Sequence, residues 1–496
     1  MNLWQIILLS IYCVALGSLL VFSFHRFAMV HLYLKNRGNV PVEPVVADID
    51  LPPVTVQLPV YNELYVLERL IEAVCALDYP PHLLEIQVLD DSTDETTAVA
   101  QRCVAEARGL GIDAALLHRT DRCGFKAGAL EEGMKVAKGD LVAVFDADFV
   151  PNSDFLRRTV PHLVDNPGVG MVQMRWAHLN RDYSLITKVQ SVFLDGHFVI
   201  EHGARSRSGL FFNFNGTAGI WRRECIEEAG GWEHDTLTED LDLSYRAQMN
   251  GWRFVYLNDH SVPAEVPVTV TGWKAQQFRW VKGSVQTARK LLPRLLASDL
   301  RRGVKAEAIL HLCANMSYLM LALLAVLIFP AALARKDLGW LRVVLVDLPL
   351  FVSATAVLSR FYIYSQREIY ADWKSRLRYI PLCLAMGMGI SFNNGCAVFE
   401  ALIGHKSPFN RTPKFGVVSR ADQWLGKRYT STNSIMSFAE VAAGLYFMAV
   451  IVYSVSMNVY FPLPFLLLFC VGFLYVGTIS FLEGMVDRRR KAIKHA

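Results

Sequence analysis

The chain has 496 residues, 53% of them hydrophobic, and the apolar content gathers at the two ends, which excludes an ordinary soluble multidomain protein and points to membrane spans around one soluble domain. A formal net charge of +4 is too small to argue for a nucleic-acid partner, and the basic residues sit beside hydrophobic segments, where they act as topology signals. The nine cysteines contain no C-x-x-C pair and no metal-like spacing, so reduced, packing cysteines and a cytosolic catalytic domain are expected.

Residues 3–24 form an apolar run long enough to cross a hydrocarbon core of roughly 30 Å. No basic stretch precedes it and no small-residue cleavage site follows, as in an uncleaved anchor. His25, Arg26, Lys35 and Arg37 come next, which places the N-terminus outside and the following domain in the cytoplasm. The expected units are an anchor at 1–27, a soluble domain with interfacial helices at 28–305, and a membrane region at 306–496.

From 54 to 150 short β-branched runs alternate with helical stretches. The pattern predicts strands at 54–59, 85–89 and 141–145 and helices at 63–76 and 93–107, hence a parallel, doubly wound α/β sheet. Such sheets bind ligands at the carboxyl ends of their strands. Tyr61, Asn62 and Glu63 follow the first strand and are placed to frame a nucleobase, or else serve only as a turn. Asp90 and Asp91 end the second strand, suited to a base or ribose or, alternatively, to capping the next helix. Lys126, in Gly124-Phe125-Lys126-Ala127-Gly128, is a cation at a helix start, a setting that suits phosphate. Asp146-Ala147-Asp148 follows the buried third strand; two carboxylates there can bridge Mg²⁺ or Mn²⁺ to a diphosphate. There is no G-x-G-x-x-G after the first strand and no G-x-x-x-x-G-K-[ST], so dinucleotide and P-loop chemistry lose support.

Thr238-Glu239-Asp240 opens an amphipathic helix. Its acids suit a first turn electrostatically, but Asp240 is also the candidate base for deprotonating an attacking hydroxyl, with Glu239 in support. Gln276, Arg279 and Trp280 share helical spacing; the arginine is a bidentate clamp for a diphosphate and the tryptophan a stacking face for a sugar ring. Further spans are expected at 306–334, 341–362, 435–457 and 460–484, the last followed by Arg488, Arg489, Arg490 and Lys491. The stretch 379–403 carries Asn393, Asn394 and Glu400 and is read as an interfacial or re-entrant helix, because crossing would put the basic segment 405–428 outside. Five spans result; six is the alternative, favoured by Arg335, Lys336 and Arg342, which five spans leave outside. Asn315, Ser317, Tyr318, Asn393 and Asn394 are either helix-to-helix hydrogen-bonding groups or the lining of a channel.

Asp-Asp, D-x-D, T-E-D and Q-x-x-R-W in this order resemble the inverting, processive family 2 glycosyltransferases, which include cellulose, chitin, hyaluronan and mannan synthases, over nearly the whole chain. Phe409-Asn410-Arg411-Thr412-Pro413-Lys414 looks like the F-x-V-T-x-K gating loop of cellulose synthases, with arginine in place of valine. Phe214-Asn215-Gly216-Thr217-Ala218-Gly219, Glu228-Ala229-Gly230-Gly231-Trp232 and the R-T-P-K loop are similar to a closer subgroup, the cellulose synthase-like A mannan and glucomannan synthases. The chain departs from bacterial cellulose synthases in Asn215, where they carry cysteine, and in Phe149, where they carry histidine, and no cyclic-dinucleotide-binding domain is expected after the last span.

The resemblance implies a GT-A type nucleotide-diphospho-sugar transferase domain set between membrane helices. It implies nucleotide-sugar contacts from Tyr61, Glu63, Asp90, Asp91, Lys126, Asp146, Gln276, Arg279, Thr412 and Lys414, metal ligation by Asp146 and Asp148, catalysis by Asp240 with Glu239, and acceptor contacts from Trp280 and Asn215. The expected partners are a nucleotide sugar, a growing glycan and the bilayer, with no nucleic acid. The expected activity is processive elongation of a β-linked mannan, glucomannan or β-glucan from GDP-mannose or UDP-glucose, with the product threaded across the membrane. A glycolipid synthase adding one hexose is the alternative; a non-enzymatic scaffold or transporter is disfavoured because every acidic position is filled.

Overall fold

A computed structural model describes residues 2–335, 340–405, 411–427 and 434–495. Seven strands build one sheet: β1 Val54–Val60, β2 Leu84–Asp90, β3 Asp113–His118, β4 Leu141–Val144, β5 Val169–His178, β6 Gly219–Arg222 and β7 Arg253–Ala264, in the order β3-β2-β1-β4-β6-β5-β7. The half read from the sequence is parallel throughout, with Val54 beside both Leu84 and Leu141. The other half is mixed: β6 runs antiparallel to β4 and β5, and β7 lies parallel to β5. β6 is only four residues long, too short for a periodicity, and β3 is an edge strand whose partly exposed residues blur its pattern.

Both faces of the central strands are covered: β4 is apolar throughout, and the alternate polar residues of β1 and β2 are buried and paired, Thr55 Oγ1 donating to Glu85 at 2.6 Å and Gln57 Nε2 to Gln87 at 3.1 Å. Val54, Val56 and Leu58 of β1 and Val142 and Val144 of β4 are fully buried; each such side chain contributes roughly 1.5–3 kcal/mol. The helix Leu67–Cys75 starts later than its periodicity suggests, because Asn62 takes a left-handed turn, φ 55°. There its backbone N–H donates to Ser92 Oγ and its side chain accepts from Thr93 N, both at 2.8 Å, tying the turns after β1 and β2 together. Order around β1 reverses between β2 and β4, so the crevice of this sheet opens at their carboxyl ends.

Among the described residues, five helices are long and apolar enough to cross a membrane: Leu3–Lys35, Met316–Ala334, Asp347–Ile369, Ile435–Ser456 and Leu463–Asp487. The stretch expected as one interfacial helix is a pair, Trp373–Gly389 and Ser391–Ile403, bent by 44°, so the total is five, or six if the pair is one span. The span expected from 306 divides into Arg302–Cys313 and Met316–Ala334. Phe409, Asn410 and Lys336 lie outside the described residues.

The long helix Val270–Ala297 joins the two parts. Glu483, from the last membrane helix, accepts from Val270 N, Thr271 N and Thr271 Oγ1 at 2.8–2.9 Å, so it satisfies N-terminal donors that the helix itself leaves open. One turn on, Lys274 donates to Glu440 at 2.7 Å with both side chains buried, and Asn393 donates to the Lys274 carbonyl at 3.1 Å.

Candidate active site

A cleft of about 1230 Å³ opens along the carboxyl edge of β1, β2 and β4. It is lined by Tyr61, Glu63, Asp91, Lys126, Asp146, Asp148, Asn215, Glu239, Asp240, Gln276, Arg279, Trp280, Thr412 and Lys414. The structure thus gathers residues spread over more than 350 positions, leaving outside the lining Asn62, which is bound to Ser92 and Thr93, and Asp90. Its carboxylate is completely buried below the cleft, where it accepts from Ser92 N at 3.0 Å and Thr97 Oγ1 at 2.7 Å and meets His118 Nδ1 at 2.8 Å. Asp90 therefore braces the turn, in place of the expected base contact, and its neighbour Asp91 faces the cleft, held by the Arg119 fork at 2.7 and 2.6 Å.

Both carboxylates of the D-x-D hold a cation. Lys126 Nζ donates to Asp146 at 2.5 Å and to the Gly216 carbonyl at 2.8 Å, with Glu239 4.0 Å away. Burial lowers this lysine, but Asp146 and Glu239 outweigh it and hold the ammonium above its ordinary value. Lys414 Nζ donates to Asp148 at 2.5 Å. The segment bearing Lys414 lies closed over the cleft. Arg411 donates to the carbonyls of Tyr61 and Asn62 and sits 3.2 Å from Glu63, while Glu265 accepts from Phe415 N at 2.9 Å and Val417 N at 3.2 Å. Burial pushes Glu63 up to about 8 even beside Arg411.

Asp240 occupies the first turn of the helix Glu239–Met249, its Oδ1 accepting from Leu241 N at 2.8 Å. Burial first, and the Glu239 carboxylate second, push its carboxyl up to about 7, the range in which a base works best near neutral pH. Gly216 packs so tightly here that a methyl on its Cα would lie 3.0 Å from Asp240 Oδ2, and its φ of +81° is one glycine adopts without strain. Trp280 meets Trp176 edge-on, ring centres 6.3 Å apart.

A second chamber of about 1260 Å³ continues from the cleft, and Trp176, Asn215, Asp240, Gln276 and Trp280 line both. Arg26, Phe193, Tyr318 and Tyr362 then pass from its wall into that of a third cavity between the membrane helices. Asn315, Ser317 and Tyr318 face these chambers, whereas Asn393 and Asn394 are buried at the Lys274 contact outside them.

Several groups, Trp176 and His202 among them, escaped the sequence reading. Arg122 stacks over the Tyr61 ring at 3.3 Å, Glu265 holds the 415–417 backbone, and His197 lines the second chamber. Glu265 directly follows β7 as Asp91 follows β2, a usable signal; Arg122 and His197 carry none. Away from the cleft, ligand atoms of Glu233, Asp235 and Asp242 lie within 4.8 Å of one another, but Lys290 pairs with all three and Arg246 with Glu233 and Asp242, so side-chain cations already occupy that cluster.

A mixed sheet with carboxylates at the carboxyl edges of β2 and β4, flanked by membrane-length helices, defines a GT-A-like fold. Residues 52–283 of this chain match the family described as Glycosyltransferase like family 2. Its relatives include probable glucomannan 4-beta-mannosyltransferase 7 of Oryza sativa subsp. japonica, 46% identical over 257 residues, 51% of this chain and 44% of the relative. Glucomannan 4-beta-mannosyltransferase 2 of Arabidopsis thaliana is 44% identical over 280 residues, 54% of this chain and 52% of the relative. The matches thus span about half the length of these curated relatives. The mannosyltransferase PcManGT from Pyrobaculum calidifontis, solved in complex with GDP-Man and Mn²⁺, shares the fold with a TM-score of 0.54 at 23% identity, over 82% of this chain and 100% of that one.

Proposed function

We propose that this protein is a membrane-embedded inverting glycosyltransferase that processively elongates a β-linked mannan or glucomannan from GDP-mannose. One observation carries the reading: Asp240 and Trp280 line both the cleft and the second chamber, so a base and a stacking face stand where a donor in one and an acceptor in the other would meet. The glucomannan mannosyltransferases among its relatives point to the sugar, and the GDP-Man of the archaeal fold neighbour to the nucleotide.

In this reading Tyr61, backed by Arg122, and Asp91 frame the nucleoside, and Lys126 and Arg279 face the diphosphate. Asp146 and Asp148 would hold a divalent cation, Mg²⁺ or Mn²⁺; hard carboxylate oxygens are its donors of choice, and each already stabilises an ammonium at 2.5 Å. Such an ion, when bound, neutralises charge gathering on the departing nucleotide. Asp240 takes the proton of the acceptor hydroxyl as that oxygen attacks the anomeric carbon from the side opposite the diphosphate. One carbon–oxygen bond forms, the bond to phosphate breaks with its electron pair leaving on GDP, and the configuration inverts. Trp280 holds the terminal sugar of the acceptor by stacking. The series of chambers into the membrane helices supports translocation of the product, with the N-terminus outside and the sheet domain in the cytoplasm as the charge pattern favours.

A second reading draws on the third cavity, whose walls include Leu16, Leu19, Leu321 and Leu350. Apolar walls suit an acyl chain, and hence a glycolipid acceptor. The deciding experiment incubates the purified, detergent-solubilised protein with radiolabelled GDP-mannose, UDP-glucose and UDP-N-acetylglucosamine, with Mg²⁺ or Mn²⁺. Insoluble polymer cut by a β-mannanase is expected; label only in the lipid extract would establish the second reading, and no transfer at all would sink both.

A further inference from the structure

Asn215 stands at the junction of the cleft and the second chamber. Its amide is gripped from both sides: His202 Nε2 lies 2.6 Å from Oδ1 and His197 Nε2 lies 3.2 Å from Nδ2. His197 Nδ1 in turn lies 2.9 Å from Glu201 Oε2. These contacts admit one order of protons. The Glu201 carboxylate only accepts, so His197 donates from Nδ1; its Nε2 then accepts from the Asn215 nitrogen, and the Asn215 oxygen accepts from His202 Nε2. Turning the amide over would set its oxygen against the lone pair of His197.

The order requires neutral imidazoles. Burial, with Arg205 nearby, pushes His202 down to about 3, and burial also holds His197 well below its ordinary range. Glu201 is itself fixed by Arg26 and by Arg205, the latter at 3.5 Å. The backbone explains how two histidines five positions apart reach one amide. Gly196–His202 is a π-helical segment, in which residues i and i+5 align, whereas an α-helix would turn them about 140° apart. The two rings accordingly lie 4.4 Å apart, centre to centre.

We propose that His197 and His202 are positioning residues that lock the Asn215 amide in one orientation, so that its second N–H and its free oxygen lone pair bind a hydroxyl of the acceptor sugar beside Asp240. This rests on the acceptor reading of the second chamber. A hydroxyl both donates and accepts, and an amide fixed in one plane offers it one partner of each kind. The adjoining Gly216, pressed against Asp240 Oδ2, places that hydroxyl within the base's neighbourhood.

The test compares His202→Leu with His202→Gln, whose amide can still donate to Asn215. Transfer is measured from GDP-mannose to a manno-oligosaccharide, with GDP affinity as a control for folding. His202→Leu should raise the acceptor KM about five- to tenfold, the effect of one uncharged hydrogen bond, with the donor KM unchanged. His202→Gln should recover most of it, and the double variant Asn215→Ala/His202→Leu should be no worse than Asn215→Ala. If His202→Leu does not fold, His197→Leu against His197→Gln gives the same comparison at the chamber wall. Equal effects of the Leu and Gln variants, donor and acceptor KM moving together, or additive losses in the double variant would overturn the proposal. A wild-type protein that transfers no sugar to any glycan would instead remove the function on which it rests.

Discussion

Along the donor side of the cleft three carboxylates each hold a cation, Asp91 with Arg119, Asp146 with Lys126 and Asp148 with Lys414. On the acceptor side the wall is built mainly from Asn215, His197, Gln276, Trp176 and Trp280; its charged members Arg26 and Glu201 are paired with each other, and Asp240 stands at the boundary. The difference matches the two substrates of the proposed reaction. A nucleoside diphosphate with its metal exchanges charge with the wall, so ion pairs that can be traded are the suitable lining; a glycan carries only hydroxyls and apolar ring faces, which amides and indoles read.

The sharpest way to break this comparison is at its boundary. Asp240→Asn should lower transfer by about 10²–10⁴-fold while GDP affinity stays within about twofold; a variant that keeps its rate would show that the base lies elsewhere. The wild-type rate should fall on the acid side with an apparent pKa near 7, the value to which burial brings this carboxyl. The same shift has a stability consequence. A carboxyl whose folded pKa is raised is penalised once it ionises, so the penalty is absent below the unfolded value near 4 and grows until pH passes 7. Asp240→Asn should therefore melt at the same temperature as wild type at pH 4 and higher at pH 8 in a thermal scan.

Next in size, Asp148→Asn should cut transfer roughly a hundredfold and weaken the dependence on added Mn²⁺, read by titration after chelation. Trp280→Ala should raise acceptor KM about tenfold, with Trp280→Phe near wild type and donor KM unmoved in both. Glu265→Gln should have the smallest effect, about a threefold rise in donor KM, by weakening the hydrogen bonds that hold the 415–417 backbone over the cleft. An acceptor effect from Glu265→Gln, or a donor effect from Trp280→Ala, would blur the division between the two walls.

Part of the donor side was legible in the chain because Tyr61, Asp91 and the Asp146-Ala147-Asp148 motif each follow a strand end, and strand ends converge in a parallel sheet. The choice between Asp90 and Asp91 was not. Both end the same strand, and only the backbone direction there decides which enters the cleft and which turns inward to Thr97 and His118. The pairing of cations with acids was equally hidden, since Lys414 meets Asp148 across 266 positions. β6 left no periodicity in four residues, and the grip on Asn215 depends on a π-helical turn that no spacing rule signals. The bent pair Trp373–Gly389 and Ser391–Ile403 is likewise a matter of packing, with Asn393 turned toward a helix of the sheet domain.

The contact of Val270–Ala297 with the membrane helices sets the boundary of the folding unit. A fragment ending after this helix would hold the carboxylates of the sheet edge, yet it would lack Lys414 beside Asp148 and leave Lys274 without Glu440 and the helix start without Glu483. Removing one partner of a buried pair costs about 3–5 kcal/mol, a large share of the 5–15 kcal/mol that holds a typical domain together. The helix that carries Trp280 and the membrane helices are therefore a single mechanical part, and in the proposed reaction a sugar stacked on Trp280 would be registered against the membrane helices as firmly as against Asp240.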